Sequence, residues 1–433
     1  MAGETINEDK SQDVESLNTD DLPFFAEKSA RQVVGRVIST NFTYLMAGLN
    51  DAATGVLIPY IQPAYGIGLF QISFAYLINF SGWLFASFTN IHICSRLGTG
   101  GTLVVGAAVQ SLGYALMSWK PPLPLFMAAF FLTGMGVAYQ DAQSNTFTIT
   151  VKNSHRWLGI LHAAYGVGTV ISPLVANTIA ARTPYWHFYY PMTLCLGIIN
   201  TCLLAWTFRR GLFQPNVLGA KDTASSELKA TLSNRTVWIL NTFFFLYVGA
   251  EVTAGGWLVQ FLVSVRNGQP SKVGYIASGF WTGFTLGRVL LADITHKFGE
   301  RRMVFVYLVL AMAMQLIFWF VPSIVANAIA VCFLGFFIGP LYPVGLYVLI
   351  QVIPKELHIG ALGIYSALTA PTSTYNTAGF SASLGQAGSA AFPFLTGSVA
   401  SKAGVQVLQP IMIGLLGGIV IFWALVPRKG PTS

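Results

Sequence analysis

Residues 48–55 read Gly-Leu-Asn-Asp-Ala-Ala-Thr-Gly, and residues 249–256 read Gly-Ala-Glu-Val-Thr-Ala-Gly-Gly. Placed 201 residues apart, the two stretches bring Gly48 onto Gly249, Asn50 onto Glu251 and Gly55 onto Gly256. Both lie inside apolar runs longer than the ~20 residues that cross a bilayer as a helix. The same offset continues, with Phe74 on Tyr275, Phe80 on Trp281, Gly82 on Gly283, Arg96 on Lys297 and Gly98 on Gly299. A constant offset over so long a stretch marks an internal duplication. Near offset 203, Gly136 meets Gly339 and Tyr139 meets Tyr342.

The composition fits a chain that lives in lipid. It is 54% apolar and 9% charged, where a soluble domain has about 25% charged residues. Hydrophobic patterning predicts twelve spans, at 39–61, 70–90, 102–119, 123–149, 157–181, 187–208, 237–264, 273–293, 303–321, 325–350, 358–400 and 406–426. The fold class is therefore an all-α membrane protein with twelve transmembrane helices in two pseudo-symmetric six-helix halves. The halves are expected at 37–208 and 236–427, joined by a cytosolic linker at 209–235 and flanked by tails at 1–36 (disordered) and 428–433. Of the 24 Lys and Arg, 18 fall on the segments that are cytosolic if the N-terminus is. Five fall on the opposite side, and Arg288 lies within span 8. That bias places both termini in the cytosol. The polar, acidic start does not read as a signal peptide. The net charge of +8 is spread between apolar runs, which gives no nucleic-acid surface. The four cysteines suggest no disulfide framework.

One stretch breaks the duplication. Gly159 and Pro173 of span 5 are 14 apart, whereas Gly363 and Pro393 of span 11 are 30 apart. Removing residues 364–379 restores the spacing and aligns Gly168 with Gly388. The insertion is a natural re-entrant loop or a broken helix lining the cavity, or else a retained intron. Its permitted codons include a GTAT donor at Gly363-Ile364-Tyr365 and a CAG acceptor at Ala378-Gly379.

Three carboxylates, Asp51, Asp141 and Glu251, sit well inside spans. A charge at mid-bilayer costs about 2.5–3.5 kcal/mol on insertion scales, so such groups face a polar cavity and mark a solute or proton pathway. The alternative for Glu251 is a hydrogen bond tying two helices together. No Lys or Arg lies deep in the first-half spans. A buried carboxylate without a cation favours its protonated form, as proton coupling requires, so Asp51, Asp141 and Glu251 are the proton-coupling candidates. His162 in span 5 is either a relay member or a partner for a neighbouring helix.

Loop 8–9 carries Gly287-Arg288, then Lys297-Phe298-Gly299-Glu300-Arg301-Arg302; loop 2–3 keeps Arg96-Leu97-Gly98, with Ser95 where an acid would repeat the pattern. With the duplication and span count, these loops resemble the gating loops of the major facilitator superfamily. The resemblance implies gating roles for Arg96, Arg288, Asp293 and Arg301. Leu49-Asn50-Asp51 in span 1 and Asp141 four residues before Asn145 in span 4 resemble the fucose permease-like branch, including fungal members of unassigned substrate. That implies proton-coupling roles for Asp51 and Asp141 and sugar binding near them. Asn50, Gln140, Asn145, Trp257, Gln260 and Tyr342 are the candidate substrate ligands. Trp257 and Gln260 share a helix face on which a sugar ring can stack, although a packing role suits Trp257 equally. Tyr342, between Pro340 and Pro343, marks a softened span 10.

The expectation is a secondary transporter rather than an enzyme. It would take up a small neutral solute such as a sugar together with protons, by alternating access. The alternatives are a proton-coupled exporter or a non-transporting nutrient sensor. No cofactor or metal is expected. The partners are solute, protons and bilayer, the chain acts as a monomer, and the membrane is the plasma membrane or an internal one such as the vacuole's.

Overall fold

The computed structural model describes residues 30–152, 154–209, 234–352 and 375–427. The tails, most of the linker and most of the 364–379 insertion lie outside those residues.

The twelve crossings appear in the expected order. Span 1 is Ala30–Tyr65, opening before the residue 37 expected for its half. Spans 2 and 3 form one helical run, Leu69–Met117, kinked at Gly98. Spans 4, 5 and 6 are Leu123–Ile149, Ser154–Arg182 and Tyr189–Thr207. Spans 7, 8 and 9 are Arg235–Arg266, Ile276–Phe298 and Glu300–Phe320. Span 10 runs as Ile324–Ile338 and Leu341–Val352, broken at Gly339-Pro340 where proline removes a backbone donor. Span 11 is Tyr375–Ala403 and span 12 is Leu408–Leu425. Among the described residues, nine stretches are long and apolar enough to cross a membrane on length and composition alone. Spans 1, 8 and 11 fall short. Span 1 holds Asp51, span 8 holds Arg288 and Asp293, and span 11 is rich in serine and glycine.

The duplication is visible as packing. Gly98 and Gly299 both take positive φ, 68° and 91°, in the tight links 2–3 and 8–9. A Cβ on Gly82 would lie 2.1 Å from the Phe131 carbonyl, and one on Gly283 would lie 1.9 Å from the Cys332 carbonyl. Gly134 faces the Asn79 carbonyl, and its counterpart Gly335 faces that of Phe280, each at 2.2 Å. The structural register is therefore still 201 at spans 4 and 10. The 203 offset pairing Gly136 with Gly339 is corrected accordingly. Gly168 faces the Leu45 carbonyl at 2.3 Å and Gly388 faces that of Phe245 at 2.0 Å, as expected once residues 364–379 are set aside. Helices in lipid gain little from hydrophobic burial against one another, so small residues that let backbones touch hold each half together.

The halves meet through span 1 on span 7, span 2 on span 11 and span 5 on span 8. Close contacts cluster toward the end that carries loop 1–2. A Cβ on Gly55 would lie 2.4 Å from the Gly255 carbonyl. Asn177 Nδ2 donates to the Ser271 carbonyl at 2.9 Å, and Ser278 Oγ donates to that of Val170 at 3.0 Å.

Gly283→Val is expected to force spans 8 and 10 apart, costing about 1–3 kcal/mol as overpacking. Gly279→Val is the control, since its Cβ meets nothing within 4 Å. Thermal unfolding in detergent should drop by several degrees for the first and little for the second. Equal melting curves would count against close packing at Gly283.

Candidate functional site

A cavity of about 240 Å³ lies between the halves, walled by spans 1, 2, 4, 5, 7, 8, 10 and 11. Helical spacing selects the residues that reach it. In span 1 they are Tyr44, Ala47, Asn50, Asp51 and Thr54; in span 4 they include Val137, Asp141 and Asn145; in span 7 they include Val248, Glu251 and Gly255. Each set repeats at three or four residues, which is one stripe of a helix.

All three expected carboxylates line the cavity. Asp51 is exposed to it. Asp51 accepts hydrogen bonds from Asn50 Nδ2 at 3.0 Å and from the Tyr165 hydroxyl at 3.1 Å. Asp141 accepts from the Tyr44 hydroxyl, which in turn accepts from Asn145 Nδ2. Glu251 faces Arg288, with Oε2 3.9 Å from Nη2. Arg288 Nε also donates to the Gly339 carbonyl at 3.2 Å, and its guanidinium lies 4.2 Å from the centre of the Phe284 ring. Arg288 thus sits in the cavity wall rather than at the loop where the motif suggested a gate. Its helix face also presents Trp281, seven residues earlier. That spacing was the available signal.

The remaining candidates divide. Asn50, Asn145 and Tyr342 line the cavity. Tyr342 packs its ring against Phe244 and Tyr247. Gln140 does not line it. It is 2% exposed and bonds Gln110 and the Gly136 carbonyl, because it occupies the face of span 4 turned toward span 3. Trp257 is fully buried, and its Nε1 donates to the Pro393 carbonyl at 3.0 Å, joining spans 7 and 11. Gln260 donates to Ser264 Oγ at 2.9 Å one turn along. Neither residue reaches the cavity, since both lie off the stripe that Glu251 defines. Arg96 and Asp293 are exposed near the loop ends of spans 2 and 8. Arg301 donates to the Val426 and Ala424 carbonyls at 2.6 and 3.1 Å, closing the C-terminus of span 12 where a cation is favoured. His162 lines the cavity, its ring edge-on to Tyr44 at 5.4 Å. The hydroxyls of Tyr44 and Tyr165 were missed by a search for charge. Tyr44 lies two helical turns before Asp51, which would have flagged it.

The duplicated halves, the central cavity and the paired loops all repeat one plan, and the Major Facilitator Superfamily model matches residues 40–371. The chain belongs to the Major Facilitator Superfamily. It is an integral, multi-pass transporter of that family. Bypass of stop codon protein 6 of Saccharomyces cerevisiae is 23% identical over 428 residues, covering 91% of this chain and 82% of the yeast protein. Two solved structures share the fold. A bacterial homolog of the human lysosomal transporter Spinster, inward-facing and unoccupied, has a TM-score of 0.68 at 13% identity, covering 92% of this chain and 96% of its own. The E. coli fucose:proton symporter has a TM-score of 0.63 at 17% identity, covering 92% and 99%.

Trp257→Phe should leave this facilitator's solute affinity unchanged and lower its stability. The lost hydrogen bond is worth about 0.5–1.5 kcal/mol. Melting temperature and solute binding, measured on the same preparation, test both halves of the statement. A loss of affinity with unchanged melting would return Trp257 to the site.

Proposed function

We propose that this facilitator carries a small neutral polar solute, with a sugar favoured, into the cell together with protons. The observation that carries the reading is the cavity wall. It sets Asp51, Asp141 and Glu251 beside amides, tyrosine hydroxyls and the rings of Tyr76, Trp83 and Trp281. Carboxylates and amides suit sugar hydroxyls, and aromatic faces suit the C–H face of a sugar ring. A single cation, Arg288, lines the cavity among the described residues, and Glu251 faces it. Anionic solutes are therefore disfavoured. The shared fold with a fucose:proton symporter supports the same class.

Asp51 and Asp141 are the proposed proton-coupling groups, with Glu251 held by Arg288. With both termini in the cytosol, the end closed by Gly55, Gly255 and Asn177 is the outer one. The cavity then communicates with the inside. The proposed carrier works as a monomer in the plasma membrane.

The test is proton flux in proteoliposomes on addition of L-fucose, D-galactose or D-glucose. Sugar-triggered alkalinisation of the external medium, abolished by Asp51→Asn, is the expected result. No flux with any of the three, from folded protein, would overturn the sugar assignment and shift the assay to export of lipophilic metabolites.

A further inference from the structure

A line of hydrogen bonds leaves the cavity at Asp51 and runs into the core of the N-terminal half. Asp51 Oδ1 accepts from Asn50 Nδ2, and Asn50 Oδ1 accepts from the Tyr114 hydroxyl at 3.2 Å. The Tyr114 oxygen accepts from Gln110 Nε2 at 2.8 Å, and Gln110 Oε1 accepts from Gln140 Nε2 at 2.7 Å. Gln140 Oε1 accepts from Asn200 Nδ2 at 2.9 Å, and Asn200 Oδ1 accepts from Thr43 Oγ1 at 3.0 Å. These lengths lie in or beside the normal range. Thr43, Gln110, Tyr114, Gln140 and Asn200 are each no more than 2% exposed, and they come from spans 1, 3, 4 and 6.

The direction of the line is fixed at one point. Gln140 Nε2 also donates to the Gly136 carbonyl at 3.0 Å. A main-chain carbonyl only accepts, so that end of the amide must be the NH₂ group. Gln140 Oε1 must then accept from Asn200, and Gln110 must present its own NH₂ group to Tyr114. Every amide donor from Asn200 onward consequently points toward Asp51, while the Thr43 hydroxyl at the far end shares its one hydrogen between Asn200 Oδ1 and the Ser39 carbonyl at 3.1 Å. Two glycines let spans 3 and 4 come close enough. A Cβ on Gly136 would lie 2.6 Å from the Gln110 nitrogen, and one on Gly106 would lie 2.9 Å from the Gly136 carbonyl.

The duplication does not repeat this line. At offset 201, Gln110, Tyr114 and Gln140 correspond to Ala311, Gln315 and Leu341. Alanine and leucine side chains offer no hydrogen bond. Gln315 bonds Gln409 of span 12 instead. The twofold packing plan is kept without the line, so the plan alone does not require it.

We propose that Thr43, Asn200, Gln140, Gln110 and Tyr114 are positioning residues that hold Asn50 as a fixed donor to Asp51, and so set the pH at which Asp51 exchanges its proton. The proposal rests on the reading of Asp51 as a coupling group. Neutral amides do not pass protons along, so the line orients rather than conducts. Aligned hydrogen bonds polarise one another, and a donor aimed at a carboxylate favours its ionised form. Several other titratable groups surround Asp51. They are Tyr44 on span 1, Tyr76 on span 2, Asp141 on span 4, His162 and Tyr165 on span 5, and Tyr189 on span 6. Glu251 on span 7, Arg288 on span 8 and Tyr342 on span 10 complete the set. None of these is altered in the test.

The test is an infrared titration of the full-length protein in lipid vesicles, with the Asp51 carboxyl band assigned as the one that Asp51→Asn removes. Tyr114→Phe deletes a single oxygen and cuts the line beside Asn50; Asn200→Leu cuts it at a distance. Each is expected to move the band's midpoint to higher pH, by about one unit for Tyr114→Phe, a tenfold change in proton concentration. The double variant should move no further than Tyr114→Phe, because one line is cut twice. Gln143→Leu removes a buried amide of span 4 that bonds Asn90 and lies off the line. It should leave the midpoint in place. An unmoved midpoint in folded Tyr114→Phe, an equal shift in Gln143→Leu, additive shifts in the double variant, or no band lost in Asp51→Asn would each overturn the proposal. The coupling reading fails separately, if Asp51→Asn still accumulates sugar uphill.

Discussion

Replacing Asp51 with asparagine is expected to abolish accumulation of sugar against a gradient while leaving exchange at equal concentrations in place. Asparagine keeps the size of the side chain and one carbonyl oxygen. The Tyr165 hydroxyl, which donates to Oδ2 at 3.1 Å, can still find an acceptor. What disappears is the proton. One proton carried per sugar across a gradient of one pH unit supplies about tenfold accumulation, and the variant should lose that factor. Concentrative uptake and counterflow, measured on the same proteoliposomes, separate coupling from binding. Uptake that stays concentrative would remove Asp51 from the mechanism. Loss of both activities would show that the carboxylate serves the sugar rather than the proton.

The second large effect is expected at Arg288. Its guanidinium is held at the break in span 10, through the Gly339 carbonyl, and by the Phe284 ring, and it neutralises Glu251 across 3.9 Å. Glu251 is 8% exposed. Arg288→Gln leaves that carboxylate without a cation. Breaking a well-formed buried pair costs about 3–5 kcal/mol. The long separation here argues for the lower part of that range or less, about 1–3 kcal/mol. Adding Glu251→Gln removes the orphaned charge, so the double variant should melt close to wild type although neither variant transports normally. A double variant no more stable than Arg288→Gln would mean that the arginine stabilises the fold through span 10 alone.

The sequence showed the duplication because glycine at a helix crossing is dictated by backbone contact, and contact recurs at the same register in both halves. Gly82 and Gly283 were legible for that reason. The carboxylates were legible because charge in an apolar run is conspicuous. The direction each helix turns was harder to read. Gln140 and Asp141 are neighbours in sequence, yet one faces span 3 and the other the cavity. Trp257 and Gln260 do share a helix face, but that face turns away from the stripe of Glu251 that lines the cavity. Arg288 was drawn to the gate by the loop motif that follows it, when its stripe with Trp281 placed it in the wall. Tyrosine hydroxyls carry no charge signal, and Tyr44 and Tyr165 became visible only through their carboxylate partners.

The cavity wall has an electrical consequence. Glu251 and Arg288 cancel, whereas Asp51 and Asp141 have no cation bonded to them among the described residues. Whenever both are unprotonated, the empty carrier turns over with negative charge at its centre. A cell interior held negative pushes that charge outward, with up to about 2.3 kcal/mol per charge for each 100 mV if the whole field is crossed. With one proton carried per sugar, the loaded protein has one negative charge fewer, so voltage would act more strongly on the return of the empty protein, and the membrane potential would help set how often the site is offered to the outside.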